Sequence, residues 1–170
     1  MAKKRVSRRD VLKGAAALGA SFGLPAIVPS SVFGPFSPSN TLTVGCIGVG
    51  RMGLGDMREF INTDGFEVIS VCDVDSNRMN FAKEDAEKRQ SKQGIKTFDG
   101  YWDLIDDPAV DVISIVTPDH WHAAPAIYAA MSRKDIFLQK PLTYTIPEGR
   151  QLSDAVFRYG SVLQVGSQQR

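Results

Sequence analysis

The stretch that decides the fold is Val44-Gly45-Cys46-Ile47-Gly48-Val49-Gly50-Arg51-Met52-Gly53. Its apolar first half predicts a buried strand, its spaced glycines predict a tight turn, and the residues that follow predict a helix with one apolar face. Gly48 allows the turn, Gly50 lets the backbone come close to a ligand, and Gly53 lets the helix pack against the strand. The pattern G-x-G-x-x-G between a strand and a helix is typical of a dinucleotide-binding site.

An aspartate follows at the distance that such a site requires. Asp73 ends the next apolar stretch, twenty residues after Gly53. A carboxylate there can accept hydrogen bonds from an adenosine ribose, while the pyrophosphate would bind at the positive helix end that carries Arg51 and Met52. Because this carboxylate would repel a 2′-phosphate, we expect NAD rather than NADP as the cofactor. We expect Asp73 to face solvent, and Asp75 is an alternative ribose partner that comes later than the strand end.

Apolar and amphipathic stretches alternate along residues 41–170. The apolar stretches predict strands over 42–47, 67–72, 95–98, 110–116, 135–138 and 161–165. The amphipathic stretches predict helices over 52–62, 77–91, 102–106, 122–131 and 147–159. Strands that alternate with helices indicate the α/β class, here a Rossmann fold with a doubly wound parallel sheet covered on both faces. Its ligand would lie outside the carboxyl ends of the strands.

Residues 1–34 are typical of an export signal. A basic start precedes a weakly apolar stretch, and the run Ser7-Arg8-Arg9-Asp10-Val11-Leu12-Lys13 is similar to a twin-arginine signal, with Val11 where such signals usually carry Phe. We therefore expect the twin-arginine translocase as a partner and the periplasm as the destination, with cleavage after Ala20 or nearer Gly34. The apolar stretch is too short, and too interrupted by glycine and Pro25, for a stable membrane span. The alternative is a basic disordered arm, which leaves the apolar stretch unexplained.

Residues 35–40 predict a linker, and residues 41–170 predict the nucleotide-binding domain. The first forty residues carry six basic residues and one acidic residue, a net charge of +5, so the remaining fourteen basic and eighteen acidic residues give −4. An acidic domain argues against nucleic acid as a partner. Cys46 and Cys72 fall in predicted central strands, where we expect small buried thiols and no disulfide.

Residues with possible chemistry follow two of the predicted strands. The first group is Thr117-Pro118-Asp119-His120-Trp121-His122, and the second is Gln139-Lys140-Pro141. His120 and His122 form a conceivable metal pair, but no third ligand is placed nearby, so we expect no metal site. We expect Trp102 and Trp121 to be core or helix-packing residues rather than sugar platforms, and Arg78 to be solvated rather than a phosphate clamp.

These motifs together resemble the glucose-fructose oxidoreductase / inositol dehydrogenase (Gfo/Idh/MocA) family of two-domain NAD(P)-dependent sugar oxidoreductases. The resemblance rests on the glycine fingerprint, the acidic strand end Cys72-Asp73-Val74-Asp75, Thr117-Pro118 followed by His122, Lys140-Pro141, and the closing Val165-Gly166-Ser167-Gln168-Gln169-Arg170. The leader is similar to that of exported members.

The resemblance implies roles for individual residues. Thr117 and Pro118 would line the nicotinamide end of the cofactor, with His122 close to that pocket or packed as a structural histidine. Lys140 matches the lysine of the family's Glu-Lys-Pro motif and would be the catalytic residue, since its amine can bind a sugar hydroxyl and help remove its proton. The alternative is a surface lysine. Gln139 replaces the family's glutamate: an amide can still bond a cofactor ribose, but it brings no negative charge.

Members of the family carry a second, larger domain that completes the substrate site and forms the usual oligomer interface. We expect this domain to be absent from the present chain, and oligomers to form only with it. Three functions remain open: the cofactor half of an oxidoreductase that acts on a sugar, cyclitol or glycoside; an NAD-dependent glycoside hydrolase; and a dinucleotide-binding fragment without catalysis.

Overall fold

The computed structural model describes residues 40–168. The predicted signal and most of the predicted linker lie outside the described residues. Within them, six strands alternate with five α-helices and one 3-10 helix. The strands are β1 Leu42–Ile47, β2 Phe66–Cys72, β3 Lys96–Phe98, β4 Val112–Ile115, β5 Asp135–Gln139 and β6 Leu163–Gly166. The α-helices are α1 Arg51–Asn62, α2 Ser76–Gln90, α3 Tyr101–Ile105, α4 Ala123–Met131 and α5 Ile146–Tyr159, and the 3-10 helix is Asp119–Trp121.

The six strands form one sheet in the order β3-β2-β1-β4-β5-β6. Every neighbouring pair is parallel, and β1 lies between β2 and β4. The chain moves outward from β1 to β3 and then crosses back to β4, which is the doubly wound order of a Rossmann fold. This confirms the predicted fold class. It also places a crevice at the carboxyl ends of β1 and β4, where the direction of winding reverses.

Two apolar cores cover the two faces of the sheet. Met57 of α1 and Met79 of α2 are buried on one face. On the other face, Leu104 of α3, Ala129 of α4 and Leu152 of α5 are buried. All of β4 is buried, as expected for a central strand covered on both sides.

The predicted element limits agree with the observed ones to within two residues. The largest difference at a central strand is at β4, which begins at Val112 although the apolar stretch begins at Val110. Val110 is buried, but its N–H donates to the carbonyl oxygen of Asp107 in a turn at 3.1 Å. Its side chain therefore packs in the core, while its backbone lies outside strand β4.

Capping residues fix the starts of two helices. Asp75 caps α2, where its Oδ1 accepts a hydrogen bond from the Asn77 N–H at 2.9 Å. Thr145 and Glu148 form a reciprocal capping box at the start of α5. Both helix starts agree with the sequence prediction.

None of the helices in residues 40–168 has the length and apolar composition needed to cross a membrane.

Candidate functional site

A cavity of about 570 Å³ opens at the carboxyl edge of the sheet. Eight of the predicted cofactor-binding residues line it: Gly48, Gly50, Arg51, Met52, Gly53, Asp73, Thr117 and Pro118. They come from the ends of β1, β2 and β4, which meet at this edge because the strands are parallel. The remaining predicted residues are His122, Gln139 and Lys140. His122 lies in the segment after β4, and Gln139 and Lys140 lie at the end of β5.

Among the further residues that line the cavity are four large side chains that the sequence did not predict to lie there. They are Arg78, Tyr101, Trp102 and Trp121. Trp102 and Trp121 are 52% and 51% exposed, so neither is a core residue, which was one of the two expected positions. Tyr101 and Trp102 begin α3, which is separated from the end of β3 by two residues, and the strand-end argument applied to β3 would have found them.

The glycine turn provides space that larger residues would fill. Gly48 has a φ of +80°, and a Cβ there would lie 2.6 Å from the carbonyl oxygen of Val116. A Cβ on Gly53 would collide with the carbonyl oxygen of Gly48. At Gly50, by contrast, a Cβ would meet only the Nη1 of Arg78, at 3.5 Å. Gly50 therefore leaves an open approach to the backbone, which fits a dinucleotide pyrophosphate.

Helix α1 begins at this opening. Gly50 is its N-cap, and no side chain caps this helix within the described chain. The first helical hydrogen bond runs from the Leu54 N–H to the carbonyl oxygen of Gly50 at 2.8 Å. The preceding N–H groups of Arg51 and Met52 point out of the helix start, where the positive end of the helix dipole favours an anion.

Asp73 fastens the glycine turn to the end of β2. Its Oδ2 accepts a hydrogen bond from the Val49 N–H at 2.9 Å, and its Oδ1 accepts one from the Asp75 N–H at 2.9 Å. The side chain is half-buried, so the expectation that Asp73 simply faces solvent is wrong. A carboxylate has about four lone-pair positions, so Asp73 retains acceptor capacity for ribose hydroxyls.

Asp75 has a different task from Asp73. Its carboxylate caps α2, and its Oδ2 lies 3.4 Å from the Nε of Arg78 in an ion pair. The Asp75 carboxylate is thus engaged by its own helix, whereas the Asp73 carboxylate lines the cavity.

His122 joins the loops that follow β4 and β5. The ring is 1% exposed, its Nδ1 lies 2.6 Å from the carbonyl oxygen of Pro141, and its Nε2 lies 2.9 Å from that of Thr117. Both partners are acceptors, so each contact needs a proton on the ring nitrogen, and the ring makes both together when it carries two protons. The buried imidazole therefore links the loop that contains Thr117 to the loop that contains Lys140 and Pro141.

Gln139 and Lys140 lie at the end of β5. Gln139 is 5% exposed, and its Nε2 donates to the Oδ2 of Asp56 at 2.8 Å while its Oε1 accepts from the Lys140 N–H at 2.8 Å. Both ends of the amide are thus engaged within the protein. Lys140 itself is exposed, and its bond to Pro141 is a cis peptide.

Among residues 40–168, no group of three or more His, Cys, Asp or Glu side chains is arranged to hold a metal ion. The ring nitrogens of His122 are both directed at backbone carbonyl groups.

Known proteins share this sheet and this glycine turn. A family profile described as an oxidoreductase family with an NAD-binding Rossmann fold, that of the Gfo/Idh/MocA proteins, matches residues 42–167. The chain belongs to this family. Its matched part is an NAD-binding Rossmann domain, in agreement with the expectation of NAD as the cofactor. The family resemblance stated from the sequence motifs is thereby confirmed.

Three similar proteins illustrate the range of the Gfo/Idh/MocA family. An inositol 2-dehydrogenase of Salmonella typhimurium is 32% identical over 134 residues, 76% of this chain and 38% of that protein. A glycosyl hydrolase family 109 protein of Shewanella pealeana is 33% identical over 138 residues, 79% of this chain and 30% of that protein. The structure of myo-inositol dehydrogenase from Lactobacillus casei in complex with NAD(H) and myo-inositol is 29% identical with a TM-score of 0.68, over 74% of this chain and 36% of that chain. The chain thus spans about a third of the length of these relatives.

A second profile, that of the twin-arginine translocation signal, matches residues 5–25. The protein is therefore exported by the twin-arginine pathway, which in bacteria leads to the periplasm. This confirms the predicted export route. The boundaries after residues 34 and 40 stay predictions.

Proposed function

We propose that residues 41–170 are the cofactor half of an exported oxidoreductase that transfers hydride between NAD and a ring carbon of a sugar, cyclitol or glycoside. The observation that carries the proposal is the position of Lys140. It stands at the end of β5, and His122 holds its loop beside Thr117, which lines the cofactor cavity. The inositol dehydrogenases among the relatives support a polyhydroxylated ring as the substrate.

Different residues of this chain would have different roles in such a reaction. The glycine turn and the start of α1 would hold the pyrophosphate, and Asp73 would accept the ribose hydroxyls. Thr117 and Pro118 would form the wall beside the nicotinamide. When bound, NAD supplies the hydride acceptor. The exposed amine of Lys140 would bind the substrate hydroxyl and accept its proton as the carbonyl forms.

Trp121 has a place in the same proposal. It is half exposed, and it lines the cavity on the loop that carries Thr117 and Pro118. An indole face next to the reacting carbon can pack against the apolar C–H face of a sugar or cyclitol ring. Trp121 is thereby suited to contribute to substrate preference.

The experiment is hydride transfer to NAD with a panel of inositols, free sugars and glycosides, followed by nicotinamide absorbance. Lys140→Met should abolish reduction while leaving the NAD dissociation constant, measured by calorimetry, within about twofold of the wild type. Lys88→Met, which changes an exposed lysine of α2, is the matched control and should retain the wild-type rate. Equal rates for Lys140→Met and Lys88→Met would remove Lys140 from the reaction.

A second candidate is glycoside hydrolysis with transient oxidation by tightly held NAD. The similarity to glycosyl hydrolase family 109 proteins favours it. Release of the aglycone without net NADH would support hydrolysis, and NADH formed in proportion to the substrate would support the oxidoreductase. NAD binding without either product would indicate a protein that binds the dinucleotide and catalyses neither reaction.

The same proposal assigns oligomer formation to the second domain of the family. Sedimentation of this chain should then give a monomer, and a stable dimer of the 170-residue chain would contradict that assignment.

A further inference from the structure

A buried amide separates a carboxylate from the backbone of Lys140. Asp56 lies on the second turn of α1, and Gln139 lies at the end of β5, 83 positions later in the chain. The Gln139 Nε2 donates to the Asp56 Oδ2, and the Gln139 Oε1 accepts from the Lys140 N–H, both at 2.8 Å. The three groups form a continuous hydrogen-bonded series from the cofactor-binding helix to Lys140.

The two ends of an amide are chemically different, and the carboxylate decides between them. An ionised carboxylate only accepts hydrogen bonds, so Asp56 requires the NH₂ end of Gln139. The carbonyl end then faces the Lys140 N–H, which only donates. Without Asp56, the buried amide would lose the partner that fixes its orientation.

The pairing also accounts for the glutamine. A glutamate at position 139 would place a second carboxylate at hydrogen-bond distance from Asp56, and like charges at that distance repel. Burial already raises the pKa of the Asp56 carboxyl, the hydrogen bond from Gln139 lowers it, and the charge of Glu59 raises it further. The amide is therefore the side chain that satisfies Asp56 and Lys140 together.

We propose that Asp56 and Gln139 are a matched pair in which Asp56 acts as a positioning residue for Lys140. The charged carboxylate of Asp56 lies on α1, and the neutral amide of Gln139 lies on β5. Gln139, which replaces the family's glutamate, therefore matches the residue that it faces. The functional meaning of the pair rests on the proposed role of Lys140, whereas the pairing itself can be tested without any reaction.

The test measures hydrogen exchange of the Lys140 backbone amide by NMR and the urea midpoint of the 170-residue chain, both without substrate. Asp56→Ala should speed Lys140 amide exchange by about tenfold, the effect of losing roughly 1.4 kcal/mol of local protection. Asp56→Asn should retain slow exchange, because an asparagine oxygen still accepts from the Gln139 Nε2. Asp64→Asn, which neutralises an exposed aspartate in the turn after α1, is the control for charge alone and should leave exchange unchanged.

Swapping the acid and the amide between positions 56 and 139 gives the more specific test. Gln139→Glu alone should speed the exchange and lower the urea midpoint, because two carboxylates then face each other. In Asp56→Asn/Gln139→Glu, the asparagine NH₂ donates to the new carboxylate, whose other oxygen accepts from the Lys140 N–H, and both measurements should return toward the wild type. Wild-type exchange in Asp56→Ala, or additive losses in the double variant, would overturn the proposal.

Hydride transfer separates this inference from the proposed function. If the pair is correct but Lys140 has no chemical role, the exchange results hold and Lys140→Met has no effect on activity. If Lys140 is catalytic but the pair is wrong, Lys140→Met is inactive and the double variant shows no recovery.

Discussion

The Asp73 carboxylate accepts a hydrogen bond from the Val49 N–H across 24 positions of sequence. Val49 lies inside the glycine turn, and Asp73 lies at the end of β2. One residue therefore shapes the turn that would receive the pyrophosphate and lines the cavity where the ribose would lie. Loss of its side chain should affect both the fold and cofactor binding.

Asp73→Ala should weaken NAD binding at least tenfold and lower the free energy of unfolding by about 1–3 kcal/mol, since two half-buried N–H groups lose their acceptor. The preference for NAD over NADP should also narrow, because the charge that repels a 2′-phosphate is gone. Calorimetry with both cofactors and urea unfolding measure these effects.

Asp75→Ala is the matched comparison for Asp73→Ala. It removes a carboxylate two residues away but leaves the Val49 contact, so it should cost about 1 kcal/mol as a lost helix cap with little change in NAD binding. Equal NAD affinities for the Asp73 variant and the wild type would defeat the ribose assignment.

Gly50→Ala should separate binding from stability. Gly50 has φ −67° and ψ −166°, which alanine adopts without strain, and the added Cβ meets only the Arg78 Nη1. The free protein should therefore unfold at a urea concentration close to the wild type, while NAD affinity falls about tenfold or more because the methyl group occupies the approach to the backbone.

Gly55→Ala is the control on the same helix. A Cβ there meets nothing within 4 Å, so the variant should gain about 0.5–1 kcal/mol of stability and keep its NAD affinity. Wild-type binding by Gly50→Ala would show that the pyrophosphate lies elsewhere.

His122→Ala should destabilise the domain by about 1–3 kcal/mol, because the buried ring and its hydrogen bonding to the carbonyl oxygens of Thr117 and Pro141 are lost. His120, two residues earlier, is exposed, and His120→Ala should leave the urea midpoint unchanged. If the two variants have the same urea midpoint, the ring does not hold the two loops together.

The two thiols should be inert in the folded protein despite export to an oxidising compartment. Cys46 and Cys72 are free and buried. Burial raises the pKa of Cys46 to about 12, with a smaller contribution from the charge of Asp56. Burial also raises the pKa of Cys72 to about 12, helped by Asp73, Asp99 and Asp103. Since the thiolate is the reactive form, a thiol reagent at pH 8 should modify neither cysteine until urea unfolds the chain. Prompt reaction of either thiol in the native protein would contradict their burial.

Local patterns in the sequence determined the elements and the cofactor. The spaced glycines, the apolar stretches and the aspartate after β2 depend on neighbours in the chain and on strand and helix periods. Site roles for Gly48, Gly50 and Asp73 could therefore be predicted directly. The starts of α2 and α5 could be predicted for the same reason, since start signals such as a cap lie within or next to the first turn of their own helix.

Only the tertiary structure decided which side chains face each other at the site. His122 touches Pro141, 19 positions away, and Gln139 touches Asp56, 83 positions away. These contacts depend on the order of β1, β4 and β5 and on where each strand ends. The period of an apolar pattern specifies neither the strand order nor the strand ends. The sequence by itself therefore determined an exported NAD-binding Rossmann domain, while strand order and parallel register decided how Asp73, His122 and Asp56 hold its loops.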